Sequence, residues 1–188
     1  MPDGDVILYE NFFSPAESEL MFNDLLHHTS WQQDKIKLYG KEVELPRLTA
    51  CYGDAPKDYA YSGLSMSHRP WTQTLIKIKA RIEVATAARF NSVLLNLYQD
   101  GKSRLSWHQD NEPELGPDPT IGSVSFGDPR RFQFKHKYKR ELGTINVTLT
   151  NGSFLLMKGT TQRFWLHQVP PTSEGVGPRI NLTFRLIR

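Results

Sequence analysis

The sequence predicts an α+β chain whose second part is a β-sandwich or barrel. Two observations carry this: two amphipathic helical stretches lie before residue 90, and beyond it hydrophobicity alternates with a period of two, in short runs broken by turn residues. The first helix is expected over residues 14–28. Ser14 can cap it, Pro15 suits its first turn, and Glu17 completes an S-x-x-E capping box. Met21, Phe22, Leu25 and Leu26 form its apolar stripe. The second is expected over 70–88, starting at Pro70, with Trp71, Leu75, Ile78, Ile82 and Ala85 facing inward.

Strands are expected at 92–99, 104–108, 121–127, 130–136, 144–149, 153–158, 163–169 and 179–187. They are separated by turn residues such as Asp100-Gly101, Gly127-Asp128-Pro129 and Asn151-Gly152. In the last strand, alternation puts Ile180, Leu182, Phe184 and Leu186 on one face. Arg179, Asn181, Thr183 and Arg185 fall on the other. Two guanidinium groups on one side of an otherwise apolar strand fit either a solvated face or a polar cavity that holds an anion. Residues 92–99 repeat the theme, with Asn96 and Tyr98 on one face and Leu95 and Leu97 on the other.

Composition removes several alternatives. The 188 residues fit a single domain with a real core, and 38% hydrophobic content is ordinary for a globular chain. No apolar run approaches the roughly 20 residues of a membrane span. The N-terminus carries Asp3 and Asp5 and no basic stretch, so no secretory signal is expected. One cysteine, Cys51, excludes an internal disulfide framework, fits a reducing compartment and reads as a packed thiol. The net charge is +3, but its distribution says more. Lys35, Lys37 and Lys41 form one cluster, and Arg130, Arg131, Lys135, His136, Lys137, Lys139 and Arg140 another, so they are either solvated loops or a polyanion surface.

The chemistry is concentrated after Trp107. His108 and Asp110, two apart on an extended segment, share a face, and His167 offers a third ligand. Two histidines and a carboxylate on one face of a metal leave positions open, the set suited to non-haem Fe(II) that must also bind O2 and a co-substrate. The H-E-x-x-H of zinc hydrolases is absent. H-x-D alone is a weak signal. It gains weight from Arg179 and Arg185 further on, since an arginine near Fe(II) can grip a dicarboxylate bidentately.

Asn96-Leu97-Tyr98, Trp107-His108-Gln109-Asp110-Asn111-Glu112-Pro113-Glu114-Leu115 and Ser123-Val124-Ser125-Phe126-Gly127 together resemble the AlkB family of nucleic-acid dioxygenases. So do His167 and Pro178-Arg179-Ile180-Asn181-Leu182-Thr183-Phe184-Arg185. The resemblance runs from about residue 45 to the C-terminus. Pro46-Arg47, Tyr52-Gly53-Asp54 and Tyr61-Ser62-Gly63-Leu64 make it closest to the DNA-repair branch.

The resemblance implies a double-stranded β-helix, or jelly roll, with flanking helices. Residues 1–90 would carry helices and a nucleotide-recognition region, and 91–188 the catalytic core, within one domain. It implies Fe(II) held by His108, Asp110 and His167, with 2-oxoglutarate and O2 as co-substrates. Arg179 would hold the distal carboxylate of 2-oxoglutarate. Arg185 would lie near its iron-chelating carboxylate, and Asn96, Tyr98, Asn181 and Thr183 would line the same site. Tyr61 would stack on a flipped base, with Ser62, Glu112, Arg47 and Tyr52 nearby and Tyr39 as a wedge in the duplex. The implied activity is oxidative demethylation of bases such as 1-methyladenine and 3-methylcytosine in DNA, with release of formaldehyde. The same chemistry on RNA or on a protein side chain is the alternative. A monomer in the cytoplasm, nucleus or nucleoid, not secreted, is expected.

Overall fold

The computed structural model describes residues 1–38, 41–54, 59–61, 64–66 and 68–188; for 36–38, 41, 59–61 and 64–66 it describes the backbone. In chain order the elements are β1 (Asp5–Tyr9), α1 (Pro15–His28), β2 (Lys35–Leu38), β3 (Lys41–Glu44), β4 (Leu48–Gly53), β5 (Tyr59–Tyr61), β6 (Leu64–Met66), α2 (Gln73–Thr86), β7 (Ser92–Tyr98) and β8 (Leu105–His108). There follow β9 (Ile121–Gly127), β10 (Arg130–His136), β11 (Thr144–Leu149), β12 (Ser153–Lys158), α3 (Thr161–Phe164), β13 (Trp165–Val169) and β14 (Arg179–Arg185).

Two antiparallel sheets build the frame. The larger has six strands in the order β1-β12-β9-β14-β7-β4; the smaller has four, β11-β10-β13-β8. β2–β3 and β5–β6 are separate hairpins. This is the expected jelly roll with helices on its outer side.

Strand alternation divides the larger sheet cleanly. Its outer face carries Val93, Leu95, Leu97, Val124, Phe126, Phe154, Leu156, Ile180, Leu182 and Phe184. These pack with Leu25 of α1 and Leu75, Ile78 and Ile82 of α2. Its inner face contributes Leu94, Tyr98, Ile121, Leu155 and Met157 to a second core shared with Phe132, Phe134, Leu149, Trp165 and Val169 of the smaller sheet. The second core is interrupted by polar side chains, and these form the site. Cys51 belongs here as well, and burial pushes its thiol up to about 11.

Local chemistry explains the helix ends. At Ser14 both halves of the capping box are made: Ser14 N donates to Glu17 Oε2 at 2.9 Å and Glu17 N to Ser14 Oγ at 3.3 Å. α2 begins at Gln73 rather than at Pro70, because Thr72 Oγ1 accepts from Leu75 N at 3.3 Å and caps the helix there. Trp71 therefore stands outside the helix. It donates Nε1–H to Asp54 Oδ1 at 2.6 Å and stacks near Phe184. Ala85 is exposed, and Ala87 in the left-handed conformation ends the helix.

Other expectations are corrected. The segment 163–169 starts as the helical turn α3, and its strand begins at Trp165. β14 ends at Arg185, because Asn91 replaces the ladder: its N–H donates to Arg185 O, its Nδ2 to Ile187 O, and its Oδ1 accepts from Ile187 N. Leu186 consequently turns out to 41% exposure, while Ile187 enters the inter-sheet core. Strands also occur before residue 90, and β1 and β4 are built into the larger sheet itself. Gly127 sits at φ 88°, and a Cβ there would collide with the Pro178 carbonyl oxygen and the Phe22 ring.

The packing predicts opposite outcomes on one helix. Ile82→Ala, at a fully buried site, should lower unfolding stability by about 2–5 kcal/mol. Val84→Ala, 88% exposed, should stay within about 0.5 kcal/mol of the parent. Urea unfolding of both variants checks the assignment of faces.

Candidate metal centre

The two histidines meet because β8 and β13 are antiparallel neighbours: His108 and His167 are directly paired, with ring centroids 4.2 Å apart. Asp110 lies just beyond β8, its side chain on the His108 side as the H-x-D spacing requires. The ligand atoms of His108, Asp110 and His167 all lie within 4.8 Å of one another, the one group of this kind among the described residues. His108 Nδ1 lies 2.8 Å from the Ser106 carbonyl oxygen, which makes it the protonated nitrogen and leaves Nε2 as the ligand atom. His167 is fixed by packing, stacked 5.3 Å from the Phe132 ring at 23°.

Arg185 crosses from the opposite sheet to donate Nη2–H to Asp110 Oδ1 at 2.6 Å; both side chains are almost fully buried. Burial opposes the charge on Asp110, but the Arg185 guanidinium, through its charge and its hydrogen bond, outweighs it, so the carboxyl is held well below its usual range. Burial lowers His108 and takes His167 down to about 3, helped by its His108 neighbour. Both rings are therefore neutral near pH 7. The 3.6 Å separation of His167 Nε2 from Asp110 Oδ2 is then neither an ion pair nor a hydrogen bond. Asp110 Oδ2 is buried with no hydrogen-bond partner among the described residues. Two neutral imidazoles and an orphaned carboxylate oxygen in one buried spot form a donor set that fits a divalent cation.

Behind the triad the cavity is lined by Asn96, Tyr98, Ser123, Asn181, Thr183 and Arg185 from the larger sheet and by Leu105, Phe132 and Val169 from the smaller. Arg179, 1% exposed, lies 5.0 Å from the Tyr98 ring and donates Nη2–H to Ser125 Oγ at 2.9 Å. Its Nε and Nη1 have no hydrogen-bond partner among the described residues. Burial lowers the Arg179 guanidinium to about 10, which leaves it charged at neutral pH. An anion with two oxygens fits those two donors.

The remaining expected residues divide. Arg47 is buried and donates Nε–H to Asn96 Oδ1 at 2.7 Å, which turns the Asn96 amide nitrogen away from Arg47. Asn181 and Thr183 face the cavity but bond locally. Asn181 Nδ2 donates to Ser123 Oγ and the Val124 carbonyl, and its Oδ1 accepts from Thr183. Glu112 stands half-buried at the head of a 3-10 turn, Pro113–Leu115. Tyr52, expected at the substrate, is a correction. It pairs with Val93 on the outer face and is 5% exposed in the helix-side core. Tyr39, Ser62 and the side chain of Tyr61 lie outside the described residues.

The second basic cluster is also corrected in part. Arg130 and His136 are buried, and Lys139 pairs with Asp3 at 2.6 Å. Alternation along β10 could have revealed this, since Arg130 and His136 share parity with Phe132 and Phe134. Arg130 donates to the carbonyls of Asp100, Ser103 and Pro170 and lies 5.7 Å from the Tyr98 ring. Sequence reasoning missed this anchoring role and the Ser125 contact to Arg179.

A family model described as the 2OG-Fe(II) oxygenase superfamily matches residues 5–185. The chain is 36% identical over 188 residues to the DNA oxidative demethylase ALKBH2 of Homo sapiens, covering 95% of this chain and 72% of that one.

The chain belongs to the AlkB family of 2OG-Fe(II) oxygenases.

Within that family it is also 37% identical over 190 residues to the alpha-ketoglutarate-dependent dioxygenase alkB homolog 3 of Mus musculus, covering 97% of this chain and 66% of that one. The solved structure of OsALKBH1 superposes with a TM-score of 0.67 over 97% of each chain at 16% identity, a likeness of fold. As an AlkB-family member the protein is a 2-oxoglutarate-dependent dioxygenase with Fe(II), 2-oxoglutarate and O2 as its cofactor and co-substrates. No helix among the described residues is long and apolar enough to cross a membrane.

Because the ligand atoms are already deprotonated at pH 7, cation loading should release far less than one proton per ion. Calorimetric Co(II) titrations in buffers of different ionisation enthalpy should agree closely. Loading should also persist as pH falls through 6, where ordinary histidines would protonate. Release of a full proton per ion would contradict the neutral-histidine assignment.

Proposed function

We propose that this AlkB-family dioxygenase demethylates alkylated bases in DNA, with 1-methyladenine and 3-methylcytosine as substrates. It would act as a monomer in the cytoplasm, the nucleus or the nucleoid. The observation that carries the reading is the pairing of the His108, Asp110 and His167 cluster with a buried arginine whose donors are open. The demethylase named among the relatives supplies the substrate class.

His108 Nε2, Asp110 Oδ2 and His167 would hold the metal. Fe(II) bound there supplies oxidation of an N-methyl group at the expense of 2-oxoglutarate and O2, giving succinate and CO2. Arg179 binds the distal carboxylate of 2-oxoglutarate through Nε and Nη1, while Ser125 fixes the guanidinium plane. Arg47 orients Asn96 so that its amide nitrogen is offered to the same co-substrate. Phe132, Leu105 and Val169 exclude water from the reacting carbon. The hydroxylated methyl group is a hemiaminal, which breaks its N–C bond to release formaldehyde and the restored base. A base methylated on its pairing edge pairs poorly, so extruding it from the duplex costs less. Lys135, 4.3 Å from the Trp107 ring, and Lys137, 5.5 Å from the Tyr138 ring, would provide salt-sensitive phosphate contacts.

Arg179→Ala should raise the KM for 2-oxoglutarate about 30-fold or more, the scale for leaving a buried charge unpaired. Arg179→Lys should recover part of this, since it restores charge without the fork. An unchanged KM would move the anion site elsewhere. The activity itself is read by formaldehyde release and base restoration from 3-methylcytosine oligonucleotides, as single- and double-stranded DNA beside RNA, with Fe(II), ascorbate and 2-oxoglutarate. DNA should be repaired faster than RNA. Succinate formation without base repair would keep the dioxygenase and discard the substrate.

A further inference from the structure

We infer that Gln162 is the positioning residue for Asp110 and thereby for the metal site. This rests on the metal reading of His108, Asp110 and His167. The ladder between β8 and β13 runs only as far as His108, so the N–H of Asp110 has no strand partner although the residue is 1% exposed. A buried N–H left unbonded is costly, so its residue is drawn to any acceptor within reach. Gln162 Oε1 accepts that N–H at 2.9 Å. Gln162 is itself 1% exposed, and its Nε2 points to Met157 Sδ at 3.6 Å, so the amide can turn neither way without losing a contact.

The position of Gln162 in the fold gives this bond its consequence. It lies in α3, the turn that leads directly into β13 and so to His167. The turn is tied down by its neighbour. Thr161 Oγ1 donates to the Lys158 carbonyl at 2.7 Å and accepts from Asp5 N at 2.9 Å. One side chain thus connects the backbone of the carboxylate ligand to the element that carries a histidine ligand. Arg185 holds Oδ1 of the carboxylate, and Gln162 holds the main chain beneath it. With both in place Oδ2 is aimed at the histidines before any ion arrives.

The test uses two substitutions of nearly equal volume. Gln162→Met removes the acceptor, whereas Gln162→Glu keeps an oxygen for the Asp110 N–H. Each is measured by Co(II) affinity of the metal-free full chain and by the Co(II) visible absorption bands, with circular dichroism and thermal unfolding in EDTA as folding controls. Co(II) binding should weaken about 10- to 100-fold in Gln162→Met, the range for outer contacts that orient ligands, and its bands should shift. Gln162→Glu should retain most of the affinity and the parent spectrum. If Gln162→Met does not fold, Gln162→Ser replaces it and should show the same weakening. Parent affinity and spectrum in the acceptor-free variant would overturn the inference, as would equal losses in both variants. Failure of the unsubstituted protein to bind Co(II) would instead overturn the metal reading itself.

Discussion

The 2.6 Å bond between Arg185 and Asp110 is the constraint on which the site depends. It joins the last strand of the larger sheet to the segment leaving the smaller one, and it does so where both groups are withdrawn from water. Taking a carboxylate and a guanidinium out of water costs several kcal/mol each, so the pair is weak evidence of stability for its own sake. What it provides is definition. It ionises Asp110 despite burial, fixes one carboxylate oxygen, and leaves the other directed at two neutral imidazoles. Losing either partner would strand the other charge at a cost of about 3–5 kcal/mol.

A polar site between two sheets needs its stabilisation from elsewhere, and the second face of the larger sheet supplies it. Ile180, Leu182 and Phe184 alternate with Arg179, Asn181, Thr183 and Arg185 along β14. The first set packs under α1 and α2, and every residue of the strand is buried. The same alternation runs through β7, where Leu95 and Leu97 face the helices and Asn96 and Tyr98 the cavity. The apolar layer offsets the burial of polar groups a few ångströms away. The helices are the condition for a charged interior, since without them the outer face of the sheet would be exposed.

Where one face of a strand is apolar and the other polar, the sequence announces the arrangement. β9, β10, β11 and β14 and the H-x-D segment were legible for that reason; β12 was legible as a short apolar run between turn residues, and the helix start from the Ser14 capping box. Where both faces are buried the alternation disappears. β4, Leu-Thr-Ala-Cys-Tyr-Gly, shows no period because Ala50 and Tyr52 pack under the helices while Thr49 and Cys51 face the other way. Tyr52 could not be assigned to a face without its register, and it proved to be core. Arg130 and His136 read as surface charge because their neighbours in sequence are lysines and arginine, yet alternation buries both. Contacts such as Gln162 to Asp110 bring together residues far apart in the chain, and no local pattern encodes them.

Three of the four buried arginines among the described residues show how the fold separates anchoring from recognition. Arg130 donates to the carbonyls of Asp100, Ser103 and Pro170, and so fastens those segments to β10. Arg185 gives its charge to Asp110. Arg179 donates to the Ser125 hydroxyl, a neutral partner that orients a guanidinium without neutralising it. Charge left uncompensated in the interior is costly unless a ligand supplies the balance. The Tyr98 ring, 5.0 Å from Arg179 and 5.7 Å from Arg130, spreads some of that cost through cation–π attraction. On the proposed function, what remains would be available to an incoming dicarboxylate, and selectivity for that co-substrate would follow from the buried arginine whose Nε and Nη1 have no hydrogen-bond partner among the described residues.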